Sequence, residues 1–154
     1  MLAGVVAISN SYGGGDLPDS TYGSYYNHPG IAVTASTGDN GYKGASFPAS
    51  SAYVTAVGGT SLSMNTTTRV SETVWSGSGS GCSSYNTALV AAGPFNTGCP
   101  RRAMADVAAA ANPSTGGLAV YYPTSSSSST ARTAASPADR SKSRAWRTSS
   151  SRPV

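Results

Sequence analysis

Short apolar runs along this chain each stop at a cluster of Gly, Asn, Ser or Asp. The run 4–9 (GVVAIS) is almost continuously apolar and ends at Asn10-Ser11-Tyr12-Gly13-Gly14-Gly15, which predicts a strand covered on both faces. Asp19-Ser20 predicts the cap of a short helix over 19–27, weakened by Gly23 and stopped by His28-Pro29-Gly30. Ile31–Ser36 predicts a second covered strand. A third is expected over 53–57 (YVTAV), ended by Gly58-Gly59, a fourth over 70–75, and a short last one over 118–122 (LAVYY). Residues 77–98 lack any periodicity and read as loop, while the Ala-rich stretch 103–111 fits either element.

Strand, helix and strand within about thirty residues form a βαβ pattern, so an α/β protein with a parallel sheet is expected. A right-handed crossover puts the C-terminal ends of the first two strands on one edge. That edge would carry Tyr12-Gly13 and Gly38-Asp39, and in open α/β sheets sites form there.

Composition changes the picture in two ways. Only 10% of the 154 residues are charged, and Gly, Ser, Thr, Tyr and Ala dominate, a profile closer to an extracellular protein of short strands than to a charged disordered segment. The net charge of +4 is also local: up to Thr124 four basic residues meet five acids, whereas from Ser125 onward six basic residues meet Asp139 alone. Residues 125–154 contain almost no aliphatic side chain, so they read as a disordered Ser/Arg/Ala-rich tail after a domain at 1–124. A basic surface would belong to that tail. No RNA-binding motif accompanies it, and nucleic acid is not an expected partner.

Cys82 and Cys99 lie in a stretch rich in Gly, Ser and Asn, and the chain holds a single His, so zinc is a poor fit. A disulfide between them is the better reading, set against two unpaired thiols, and adds about 3 kcal/mol in an oxidising compartment. No stretch has the apolar length of a membrane span. The opening MLAGVVAIS reads as a core strand rather than a leader, so the chain reads as a piece of something longer. Asn65-Thr66-Thr67 fits a glycosylation sequon, a pattern common by chance.

An acid in the turn Gly38-Asp39-Asn40-Gly41 is by itself only a turn residue, because Asp and Asn bond their own backbone. Its neighbours give it more weight. SNSYGG (9–14), NHPGIAVTASTGDNGY (27–42), FPASSAYVTAVGGTSL (47–62), ETVWSGSGSGC (72–82) and RRAMADVAAAANPSTGGLAVY (101–121) stand in the order that resembles the sedolisin family of serine-carboxyl peptidases. The likeness runs over about residues 3–123. It implies a partial subtilisin-like parallel sheet with flanking helices, secretion, and hydrolysis of peptide bonds in peptide or protein substrates at acidic pH; a monomer is expected.

In that family a Ser nucleophile is assisted by a Glu and an Asp from an upstream helix. Another Asp, in a Ser-Gly-Asp-x-Gly motif, completes the oxyanion hole. Here Asp39 matches the oxyanion acid, with Thr37 in the usual place of Ser. The residue suits the chemistry: a preorganised donor stabilises a tetrahedral O⁻, and a carboxylic acid donates only while protonated. Its pKa should therefore be raised by burial or a neighbouring carboxylate.

Ser11, Tyr12 and Gly13 match the segment whose backbone pairs with an extended substrate. His28 falls in a helix-to-strand turn and Asp106 in an Asp-Val segment that matches a structural strand, so a structural or surface role is expected of the first and a backbone-bonding role of the second. Gly59-Thr60-Ser61 matches the strand-ending VGGTSL segment rather than the nucleophile motif, and neither the nucleophile segment nor the Glu/Asp helix is matched. This chain taken alone is thus expected to be catalytically incomplete. The family's C-terminal calcium region is not matched either, so no metal or other cofactor is carried over. Two alternatives come from other classes: a noncatalytic secreted module that binds peptide or carbohydrate through Tyr12, Tyr22, Tyr25 and Tyr26, and a basic tail over 125–154 that binds nucleic acid or anionic surfaces.

Overall fold

Residues 32–36 (AVTAS) organise the molecule: Val33 and Ala35 are buried, whereas Ala32 is exposed and Thr34 and Ser36 are half-buried. This period of two gives the strand one packed face. The computed structural model describes residues 4–115, with the backbone of 118–121 and 131–134. Its strands are β1 (Ala7–Asn10), β2 (Gly14–Gly15), β3 (Ala32–Ser36), β4 (Ser46–Phe47), β5 (Thr55–Asn65), β6 (Thr68–Val74), β7 (Gly81–Cys82), β8 (Ala103–Met104), β9 (Val107–Ala110), β10 (Leu118–Tyr121) and β11 (Ala131–Ala134). The helix α1 is Asp19–Tyr22, continued by a 3₁₀ turn over Gly23–Tyr25, and a second 3₁₀ turn covers Val90–Ala92.

The central sheet pairs β1, β3 and β5 in parallel, with Asn10 opposite Ala35 and Ser36 opposite Val57. Val57 is also opposite Val107, so β9 runs parallel to β5 on its other side. β5 then continues well past β3 and pairs antiparallel with β6, from Thr60–Val74 to Asn65–Thr68. The mixed α/β architecture with a parallel sheet is the one the sequence predicts. Short pairs join β2 to β4, β7 to β8, and β10 to β11.

The core is small: Val33, Ala35, Ala49, Val54, Ala56 and Met104, flanked by Tyr26 and Ala45. Cover on both faces, expected for the first two strands, is not what the structure has. In β1 Ala7 and Ser9 are exposed while Ile8 and Asn10 are half-buried, and all four residues of β9 are exposed. A continuous apolar run shows that a strand tolerates burial, but which faces are covered depends on what packs there.

Other boundaries move for local reasons. Asp19 caps no helix with its side chain; Pro18 takes the cap position, and Asp19 Oδ2 accepts from the Ala52 N–H at 2.8 Å. The helix stops at Tyr22, and Gly23 is buried beside Asp19 and the Tyr53 ring. β5 passes through Gly58-Gly59 instead of ending there. Ala105, Ser78, Ala111 and the Trp75 ring occupy the space that Cβ atoms would need, so these glycines admit close neighbours inside a strand. The stretch 103–111 resolves into two strands, and the expected loop 77–98 holds β7 and the second 3₁₀ turn. Within the expected tail 125–154 the described residues are those of β11; the rest lies outside the described residues.

Candidate functional site

At the end of β3 the chain stays in register one residue longer, the Thr37 N–H donating to the Val57 carbonyl at 3.0 Å. It then turns through Gly38 (φ 93°) and Gly41 (φ 67°), values that suit glycine, with Asp39 between them. The loop 77–80 grips this turn from one side. Gly79 N–H donates to Gly38 O at 2.7 Å, Gly41 N–H to Gly77 O at 3.0 Å, and Ser80 N–H to Gly41 O at 3.3 Å. Gly79 is buried so close that a Cβ there would overlap the Thr37 carbonyl. The turn is therefore held by backbone on both flanks.

Asp39 itself is exposed, so the burial expected to favour its protonated form is not supplied by the described residues. Thr37, beside it, is buried, and its hydroxyl has no hydrogen-bond partner among the described residues. Its carbonyl accepts from Ser46 Oγ at 3.3 Å. Since a buried orphan hydroxyl costs about 1–3 kcal/mol, Thr37→Val is expected to leave the urea midpoint unchanged or raise it. A clear drop in midpoint would show that the hydroxyl is engaged.

The segment Ser11-Tyr12-Gly13 leaves β1 on the same edge, because β1 and β3 are parallel neighbours in register. Asn10 Nδ2 ties the end of β1 to the Thr34 carbonyl at 3.0 Å. Ser11 is half-buried, Tyr12 and Gly13 are exposed, and the chain continues into β2, whose Gly14 and Gly15 lie opposite Phe47 and Ser46. Among the described residues β2 pairs with β4 alone.

An aromatic group backs this segment. Tyr26 meets the Phe47 ring edge-on at 5.3 Å, and its hydroxyl lies 3.0 Å from that of Tyr12. Burial, and then the bond to Tyr12, push the Tyr26 hydroxyl up to about 12 from 10.0. A phenol with a raised folded pKa contributes stability that is fully present below the unfolded value. That contribution is lost as pH rises from about 10 through about 12. Ultraviolet titration is expected to show Tyr26 ionising late, and earlier in Tyr12→Phe; an unchanged late phase in that variant would exclude the pair as a cause.

Polar residues that the sequence reading passed over hold these loops. The Asp16 carboxylate accepts from Ser50 Oγ (2.7 Å), Ser83 Oγ (3.0 Å) and Ser84 N–H (2.7 Å), linking the end of β2 to two distant loops. Buried Asn86 donates to the Leu17 and Ser50 carbonyls at 3.0 Å and accepts from Asp19 N–H at 2.8 Å. Arg102, 1% exposed, makes a two-pronged ion pair with Asp106 and also donates to the Ala103 and Val54 carbonyls. Asp106 in turn accepts from the Ala56 N–H at 2.7 Å, the backbone role expected of it. Nothing in the sequence marks that arginine as interior: an i, i+4 spacing brings side chains together on a helix, and residues 102–106 are not helical.

The remaining predicted residues lie as follows. Cys82 and Cys99 are joined as a disulfide, with Tyr42 Oη 3.8 Å from Cys82 Sγ. His28 is exposed, its Nε2 3.0 Å from the Tyr25 carbonyl oxygen. Ser61 lies inside β5 and accepts from Asn112 Nδ2 at 2.8 Å. Among the described residues no three His, Cys, Asp or Glu gather as a metal site, and no helix is long and apolar enough to cross a membrane. A concavity of about 700 Å³ opens at the other ends of β3 and β5, lined by Ile31, Val54, Leu89, Ala92 and Phe95 among others.

No family model matches the chain, and no curated protein matches it. Among solved structures it is similar to Pseudomonas sedolisin, a serine-carboxyl proteinase solved with two molecules of pseudo-iodotyrostatin, at 22% identity and a TM-score of 0.65. The match covers 86% of this chain and 44% of that one. The chain therefore shares a sedolisin-like α/β fold and spans less than half the length of the neighbour that shows it.

Proposed function

We propose that this chain is the middle part of a secreted serine-type endopeptidase domain that acts on peptide bonds at acidic pH. Asp39 serves as the oxyanion-hole acid, and Ser11, Tyr12 and Gly13 pair with the backbone of the bound peptide. One observation carries the reading: parallel pairing of β1 and β3 brings the segment 11–15 and the clamped turn 37–42 to one sheet edge. The sedolisin-like fold supports it. The Cys82–Cys99 disulfide agrees with an oxidising, extracytosolic setting. The 154-residue chain on its own binds peptide without turning it over, since oxyanion stabilisation without nucleophile and base gives little rate. No metal is assigned.

The test is fluorescence anisotropy with a labelled extended peptide ending in a phosphonate monoester, whose single charge is constant between neutral and mildly acidic pH. A carboxylic acid donates to that oxygen only when protonated, and a carboxylate repels it. Binding by the wild-type chain should therefore strengthen by about tenfold or more as pH falls, the worth of a hydrogen bond to a charged group. Asp39→Asn is expected to bind without that pH dependence. Equal pH profiles for the two proteins would remove Asp39 from the role.

A further inference from the structure

The hairpin formed by β5 and β6 carries a chemical feature that peptide hydrolysis does not use. Asn65 and Thr68 are the last cross-strand pair, so Thr66 and Thr67 form its tip. Thr66 has φ 53°, and its hydroxyl lies 3.5 Å from Asn65 Oδ1. Asn65, Thr66 and Thr67 are all exposed. They spell the acceptor pattern Asn-x-Thr. By contrast Asn112-Pro113-Ser114 has the excluded proline, and its Asn112 amide is already bonded to Ser61.

The flanks of the hairpin add a second observation. Met64, Val70 and Val74 are 48%, 64% and 83% exposed, and the chain as a whole has few charges to keep such a surface dispersed. A hydrophilic polymer rooted at the tip stands where it can shade Met64 and Val70, the two nearest it. The disulfide fits passage through a compartment in which asparagine is glycosylated.

We propose that Asn65, at the exposed tip of the β5–β6 hairpin, is an N-glycan acceptor. In the step, Asn65 Nδ2 bonds to the anomeric carbon of an N-acetylhexosamine carried on a polyprenyl-diphosphate oligosaccharide. The bond from that carbon to the diphosphate oxygen breaks, the polyprenyl diphosphate leaves with the bonding pair, and the carboxamide gives up one proton, by way of the transferase, to water. A cellular transferase supplies the catalysis. This rests on the extracytosolic reading above but not on the peptidase reading, so loss of peptide binding leaves it intact.

The experiment expresses the full chain behind a secretory leader in a eukaryotic host and examines both lumenal and secreted protein. Supplying the leader separates this test from the question of native export. Wild-type chain and Thr67→Ser should show a mobility shift that peptide-N-glycosidase removes, with Asn65 recovered as Asp. Asn65→Gln, Thr67→Ala and Thr66→Pro should lose the shift completely. Unmodified Asn65 in lumenal wild-type protein overturns the proposal, as does a shift that persists in Thr67→Ala.

Discussion

Replacing Arg102 by Ala is expected to lower stability by roughly 3 kcal/mol, a large share of what a small domain has. The guanidinium is 1% exposed, and both of its NH groups reach the Asp106 carboxylate. Truncation leaves that carboxylate without its partner, and the Val54 and Ala103 carbonyls lose donors as well. Arg102→Lys should recover little, because an ammonium cannot span both carboxylate oxygens and those carbonyls at once. Urea unfolding followed by Trp fluorescence measures it. Unfolding midpoints within error of wild type for both variants would mean that the pair contributes nothing net.

Gly79→Ala is expected to act on stability and on the candidate site together. The new methyl would overlap the Thr37 carbonyl, which is backbone and cannot swing aside. The loop must retreat, loosening the bonds from Gly79 to Gly38 and from Gly41 to Gly77 that hold the Asp39 turn. Overpacking of this kind costs about 1–3 kcal/mol. The phosphonate peptide should also bind at least several-fold more weakly at acidic pH, since the donor is no longer held in place. Wild-type affinity in a destabilised Gly79→Ala protein would show that the clamp has no part in positioning Asp39.

What was legible in the sequence was local. The apolar runs at 4–9 and 31–36, with a helix start between them, were enough to place two parallel neighbours and to bring Ser11–Gly13 and Asp39 to one edge. The length of β5 was hidden because Gly58-Gly59 reads as a stop in one dimension. In three dimensions those glycines make room for Trp75, Ala105 and Ala111. The burial of Arg102 was hidden too, since an arginine is normally exposed and its interior position depends on Asp106 and on carbonyls far away in sequence. The bare outer faces of β1 and β9 were illegible for a related reason: apolar runs describe the strand, not its cover.

Amide hydrogen exchange of the 154-residue chain, with and without the phosphonate peptide at acidic pH, locates where the peptide binds. Added protection is expected in residues 11–15 and 37–42, where strand addition and the clamped turn meet. Protection confined to the concavity lined by Ile31, Val54 and Phe95, at the opposite ends of the same strands, would contradict it.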